Sequence, residues 1–261
     1  MIHLKDKVCI ITGGAASIGL EISKKLIDLG CKVAIAARSP EKGKKAEASL
    51  GKNALYIKTD IGVDEDCKNL IEKTIEAFGK IDVLINNACS YGDEGAKTTR
   101  EVWLQTLNIN AVSVAILGEM ARPHLKASKG NIINIGSVSG VFPHIERWAY
   151  PVSKAAMLHL TKTQAVEYAQ DKIRVNMIRL GHIWSDPFEG LTGDDRAHAN
   201  KVSEPYNLMN RVADGEEVAN TVAFVASSAA SYMTGCETVV DGGYSAMGPE
   251  GHTPLFPLLA K

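Results

Sequence analysis

No run of apolar residues in this chain approaches the ~20 needed to span a bilayer, and neither sign of charge is in excess. Lys and Arg number 29 against 30 Asp and Glu, a formal net charge of −1. That balance removes the electrostatic case for nucleic acid or an anionic membrane as partner. Cysteines are few, odd in number and scattered: Cys9, Cys31, Cys67, Cys89 and Cys236. They sit mostly in apolar runs, which argues against a disulfide framework or a zinc site and for small core residues in a reducing compartment. No repeat, linker or low-complexity stretch interrupts the chain, and its opening MIHLKDKVCIITGG reads as a strand rather than a signal peptide. A soluble cytoplasmic protein without a metal is expected.

What is there is alternation. Apolar strand patterns at 7–12, 33–37, 54–58, 81–85, 131–135, 173–178 and 237–241 are separated by helical periods, among them 40–50, 64–78, 98–127 and 214–228. Continuous apolar strands between helices predict a parallel sheet covered on both faces, of about seven strands, in an α/β chain of 261 residues. Residues 185–211 lack clean periodicity and are rich in charge, Gly and Pro, which predicts a lid.

The stretch around which the rest is arranged is GNIINIGSVSGVFPHIERWAYPVSKAAMLHLTKTQAVEY, residues 130–168. Its strand feeds a small-residue turn carrying Ser137, and its helix opens near Tyr150. Lys154 is four residues on, so phenol and ammonium leave one helix face a turn apart. Free tyrosine titrates near ~10, too high for efficient proton transfer at neutral pH, and a neighbouring cation lowers that value. Ser137 can fold back over the same face. Together they make a proton-transfer site.

With Tyr150-Pro-Val-Ser-Lys154 and Ser137 at this spacing, the chain resembles the short-chain dehydrogenases/reductases, and the likeness extends over residues 5–245. The resemblance implies a doubly wound Rossmann-type fold over 1–261, with 1–130 mainly cofactor-binding, 131–245 catalytic and substrate-facing, and 246–261 a tail. It implies Ser137, Tyr150, Lys154 and Asn110 as catalytic residues. Tyr150 exchanges the proton, Ser137 holds the substrate oxygen, Lys154 lowers the tyrosine pKa and binds the nicotinamide ribose, and Asn110 supports a proton relay.

The turn Thr12-Gly13-Gly14-Ala15-Ala16-Ser17-Ile18-Gly19 lies where an open α/β sheet receives a pyrophosphate at a helix N-terminus. It matches the family's TGxxxGxG except that Ser17 replaces the middle glycine. Gly13, Ser17, Ile18 and Gly19 are expected to bind cofactor, as are Asp60, Ile61, Asn87, Ala88, Gly181, Ile183 and Ser185, together with Tyr150 and Lys154. Asn86-Asn87-Ala88-Cys89 carries Cys89 where the family has glycine, and Leu180 replaces the proline of PGxIxT. No acidic residue closes the second strand to accept ribose hydroxyls. Arg38 follows Ala37 instead, and a planar guanidinium suits a 2′-phosphate, so NADP(H) is favoured over NAD(H).

Two other readings fit single features. Gly136-Ser137-Val138-Ser139-Gly140 satisfies the G-x-S-x-G of a hydrolase elbow, but the loop with Pro143 follows where that elbow needs a helix. A cofactor-binding sensor without chemistry is opposed by the intact Ser137, Tyr150 and Lys154.

For the substrate, Ser139, Val141, His144, Trp148, Trp184 and Tyr91 are expected to line a pocket. The two tryptophans suggest a small cyclic or aryl ketone or secondary alcohol, with a 3-oxoacyl thioester as runner-up. His144 is expected to cap a turn rather than polarise a second oxygen. The apolar tail from Tyr244 is expected to dock on another subunit of a homotetramer, or homodimer, with the 102–120 and 151–168 helices forming a second interface.

Overall fold

The apolar runs form strands β1 (Val8–Thr12), β2 (Lys32–Ala37), β3 (Ala54–Lys58), β4 (Val83–Asn86), β5 (Asn131–Ser137), β6 (Arg174–Leu180) and β7 (Glu237–Val240). The computed structural model describes residues 2–248 and 251–259. All seven strands share one sheet in the order β3-β2-β1-β4-β5-β6-β7, and every neighbouring pair is parallel. The longer helices are α1 (Ser17–Asp28), α2 (Pro40–Leu50), α3 (Asp64–Phe78), α4 (Arg100–Leu107), α5 (Ser113–Ser128) and α6 (Ala149–Tyr168). After them come α7 (Asp186–Thr192), α8 (Arg196–Ser203), α9 (Gly215–Ala226) and the short α10 (Leu255–Leu259).

Successive strand residues point to opposite faces, and both faces are covered. Ile11 of β1 packs in one core with Ile22 and Leu26 of α1 and Val218 and Val222 of α9. Its neighbour Ile10 lies in the other core with Leu70 of α3 and Leu117 and Leu125 of α5. This double burial is why the strands read as unbroken apolar runs rather than alternating ones. The edge strand β7 is only half covered, and Val239 remains 43% exposed.

Three segments depart from the sequence expectation. The helix predicted over 98–127 is two helices joined by a π-helical turn at Asn108–Val112, the kind of local widening that recurs at functional sites. Strand β5 runs beyond 135 to Ser137, and β6 beyond 178 to Leu180, because Gly136 pairs with Arg179 and Ser137 with Leu180. Glycine and serine look like a turn in isolation, yet a Cβ on Gly136 would collide with the Met177 side chain of β6, so the glycine makes room for that side chain. Finally, 185–211 contains α7 and α8. Helix α7 buries no residue and so carries no apolar stripe to read.

The chain leaves β1 toward β3 on one side and resumes at β4 on the other, which opens a crevice at the carboxyl ends of β1 and β4. Gly19 of α1 closes down on the floor of that crevice. A Cβ there would strike the Gly13 carbonyl and come within 2.7 Å of Asn87 Nδ2. Gly19→Ala is expected to lower unfolding stability by about 1–3 kcal/mol or more, read as a fall of several degrees in melting temperature. An unchanged melting curve would show that the turn has slack the packing denies it.

Candidate active site

The crevice is held from both sides. The Thr12 hydroxyl accepts the backbone N–H groups of Asn87 (2.9 Å) and Ala88 (3.0 Å), and Asn87 Nδ2 donates back to the Thr12 carbonyl at 2.9 Å. Asn86 ties β4 to Asn134 of β5 (2.8 Å), which in turn reaches Thr161 of α6 (2.9 Å). Gly13 has φ +68° and lies against Ala88, so the turn leaves backbone bare where a phosphate would approach.

Ser17, at the family's glycine position, is itself left-handed (φ +50°), a conformation costing an L-residue about 1–2 kcal/mol. Its hydroxyl accepts the N–H of Asp186 at the start of α7, at 3.2 Å. Cys89, a second departure, does not have a positive φ, so nothing in the backbone there requires glycine.

A cleft of about 420 Å³ runs along the crevice between Gly13, Ala37 and Arg38 on one side and Ala88 and Ser90 on the other, with Asp60 and Ile61 in its wall. Its position and lining fit the adenosine half of a dinucleotide. Asp60 spends one carboxylate oxygen on the N–H of Gly62 (2.9 Å). Beside the cleft, Arg38 shares a shallower groove with Ser39 and Lys42. Lys42, which sequence reasoning missed, ion-pairs with Asp186 at 3.4 Å. Gly181 approaches Asp241 so closely that a Cβ would lie 2.7 Å from its Cα. Ile183 is buried in a bridge to Ala213, and the Ser185 hydroxyl donates to the Ile183 carbonyl at 3.0 Å. Ile18 is half-buried against the core under α1.

At the end of β5, Ser137 Oγ accepts the N–H of Ser139 at 3.1 Å and faces the Tyr150 phenol. Lys154 is only 3% exposed, its ammonium 2.8 Å from the Ile135 carbonyl and 5.7 Å from the centre of the Tyr150 ring. Burial pushes the Tyr150 phenol well above its ordinary value, and the Cys89 thiol adds to that. Ser137 and Arg147 act in the opposite sense. Tyr91 stacks on Tyr150 with ring centres 5.3 Å apart.

Asn110 lies in the π-helical turn, fully buried. It exchanges hydrogen bonds with the Ser90 backbone (2.8 and 3.0 Å) and donates to Ser153 of α6 at 3.0 Å. It thus ties the loop after β4 to the helix bearing Tyr150 and Lys154.

A second residue that sequence reasoning missed is Asp93. The start of α6 has no side-chain cap of its own. Instead the Asp93 carboxylate, 7% exposed, accepts the N–H of Tyr150 (2.9 Å) as well as those of Trp148 and Gly95, and the hydroxyl of Thr98. Burial works to raise its pKa, but these donors together hold it below the ordinary carboxylate value. A capping residue 57 positions away leaves no local signature.

The residues expected to line one pocket are divided. Trp184 lies under the Arg196 guanidinium at 5.0 Å, while Trp148 and Val141 stay 53% and 44% exposed. His144 does not cap a turn; its buried Nε2 has no hydrogen-bond partner. Its ring instead lies 6.3 Å from Tyr244, which also packs against His182 and Phe142. Tyr244, expected to lead the tail onto a neighbouring subunit, is thus part of its own chain's site region. Leu255, Phe256, Leu258 and Leu259 remain 46–80% exposed, and tail residues 249–250 and 260–261 lie outside the described residues. No described helix is long and apolar enough to cross a membrane.

A family model described as enoyl-(acyl carrier protein) reductase matches residues 13–245. An L-fucose dehydrogenase of Oryctolagus cuniculus is 33% identical, over 94% of this chain and 87% of that protein. A cis-4-hydroxycyclohexanecarboxylate dehydrogenase of Sinomonas cyclohexanicum is 32% identical, over 93% and 98%. An NADP-dependent (R)-specific alcohol dehydrogenase of Lentilactobacillus kefiri is 31% identical, over 94% and 98%.

Removing the Asp93 carboxylate strands the donors it serves. Asp93→Ala is expected to cost about 1–3 kcal/mol in chemical denaturation at pH 7. Because the carboxyl pKa is lowered by folding, that difference should persist above the ordinary value near ~3.9 and shrink as acid titrates the native carboxylate. A difference that stays constant below that pH would mean the ionised carboxylate is not what caps α6.

Proposed function

The chain belongs to the short-chain dehydrogenase/reductase family, and from that membership we propose that it interconverts a ketone and a secondary alcohol on a small cyclic substrate, using NADP(H). The observation that carries this reading is the meeting of Ser137, Tyr150 and Lys154 at the carboxyl end of β5, beside a cleft whose lining suits a dinucleotide. The Tyr150 phenol, kept protonated by burial, is the group that gives a proton to the carbonyl oxygen in reduction and takes it back in oxidation. Ser137 orients that oxygen. The buried Lys154 ammonium is placed to stabilise charge as the proton leaves. Asn110 fixes the helix that carries both. A nicotinamide cofactor held there would supply or accept the hydride at the substrate carbon.

Gly13, Ser17, Gly19 and the Asn87–Ala88 backbone would hold the phosphates and ribose, and Arg38 with Lys42 the 2′-phosphate. The ring alcohols named in two relatives support a cyclic substrate, and the name of a third supports NADP(H). The match to an enoyl-(acyl carrier protein) reductase model supports an acyl-thioester substrate, and with it a 3-oxoacyl thioester reductase as the second reading. Exposed Leu104, Val112, Val152 and Val166 on α4–α6 favour a homotetramer, or a dimer, through these helices. A monomeric mass in light scattering would rule that out.

The test is oxidation of NADPH and NADH by pure protein over a panel of cyclic ketones and a 3-oxoacyl thioester. Tyr150→Phe should lower kcat by roughly 10²–10⁴-fold while leaving cofactor binding in place. Arg38→Asp should cost NADPH roughly 10–100-fold more than NADH, the equivalent of one charge-assisted hydrogen bond. Alcohol oxidation, which needs the deprotonated phenol, should rise with pH, and reduction should hold level until the phenol titrates. Tight cofactor binding without turnover of any substrate would move the protein to a sensor role.

A further inference from the structure

Three parallel strands end side by side next to Ser137. Ser137 pairs with Leu180 of β6, and Leu180 with Val240 of β7. Just beyond these ends lie His182 and Tyr244, while His144 comes from the loop after Ser137. The His182 ring is a hub: Phe188 of α7, Tyr206 after α8 and Tyr244 after β7 lie 5.8, 6.1 and 5.9 Å from it. Tyr244 bridges to His144 at 6.3 Å.

Two polar atoms in this aromatic cluster are shut off from solvent and bonded to nothing: His182 Nδ1 and His144 Nε2. A buried polar atom without a partner is destabilising and is uncommon in folded proteins. Here two lie in one cluster, each on a ring whose faces are packed while one nitrogen is left bare. Burial holds both imidazoles below their ordinary value. His144 adds to the effect at His182, and Arg147 to that at His144. Neutral imidazole presents one N–H and one lone pair, which matches a hydroxyl group, itself both donor and acceptor. A carboxylate would call for a free cation. Arg147 is instead turned to the backbone carbonyls of Asp93 and Tyr91, and Arg211 is forked onto Glu217 at 2.7 and 2.8 Å.

We infer that His144 and His182 form a subsite for a second hydroxyl of a cyclic substrate. The enzyme is then selective for cyclic diols and polyols over simple cyclic alcohols. The inference rests on the alcohol–ketone reading above but concerns selectivity, so the two fail differently.

The experiment compares cyclohexanol with cis- and trans-cyclohexane-1,2-diol and 1,3-diol and with an aldohexopyranose, reading kcat/KM for each with NADP. The full-length wild type should favour at least one ring carrying a second hydroxyl by tenfold or more over cyclohexanol. His182→Phe and His144→Leu should each bring that ratio to within about threefold of unity, and His182→Gln should retain part of it. A wild-type ratio near one, or a ratio unmoved in both variants, overturns the subsite. If no alcohol is turned over, the catalytic reading fails, and the subsite is decided by calorimetric binding of the diols and the pyranose to wild type and to His182→Phe. Equal affinity for the two proteins would overturn it there as well.

Discussion

The junction between the glycine turn after β1 and the Asn87–Ala88 segment after β4 is the constraint on which the site depends. A parallel sheet whose connections reverse at these strands must leave a crevice at their carboxyl ends. The Thr12 hydroxyl and the Asn87 amide set its width, and Gly19 sets its depth. Several of the site residues are hung on this edge: Arg38 after β2, Asp60 after β3, Ser137 at the end of β5 and His182 after β6. Strands deliver side chains and N–H groups there without loops having to fold over them, so a rigid core fixes a site made of short turns.

Tyr150 and Lys154 are held by a buried polar network rather than by apolar packing. Asp93 caps α6, Asn110 links that helix to the loop after β4, and Lys154 is fixed on the Ile135 carbonyl. Each of these groups is expensive to bury alone and tolerable because it is partnered. The same burial that makes the network stiff keeps the Tyr150 proton in place.

The segment over the crevice is joined to it lightly. Asp186 at the head of α7 meets Ser17 through its N–H and Lys42 through its carboxylate, both at exposed positions. Helix α7 buries nothing, whereas Phe188 on it and Tyr206 beyond α8 reach the His182 ring. Such an element has few buried contacts to lose on moving, and its polar ties touch the glycine turn, the place where phosphate would bind.

Much of this was legible in the chain as written. Unbroken apolar strands between helical periods determined a parallel sheet covered on both faces, since only that arrangement buries every residue of a strand such as Val8–Thr12. The spacing of Tyr150 and Lys154 determined that they share a helix face, and the Gly-rich turn that something must approach the backbone closely. These are short-range properties, set by the periods of helix and strand. Tertiary structure alone decided that Asp93 caps a helix 57 residues away, that Lys42 stands beside Arg38, and that Tyr244 packs against His182. It also decided that 98–127 breaks at a π-helical turn, and that His144 and His182 face one aromatic cluster with bare nitrogens. Such contacts join residues remote in sequence, and no local pattern encodes them, because their energy exists only once the sheet has brought the strand ends together.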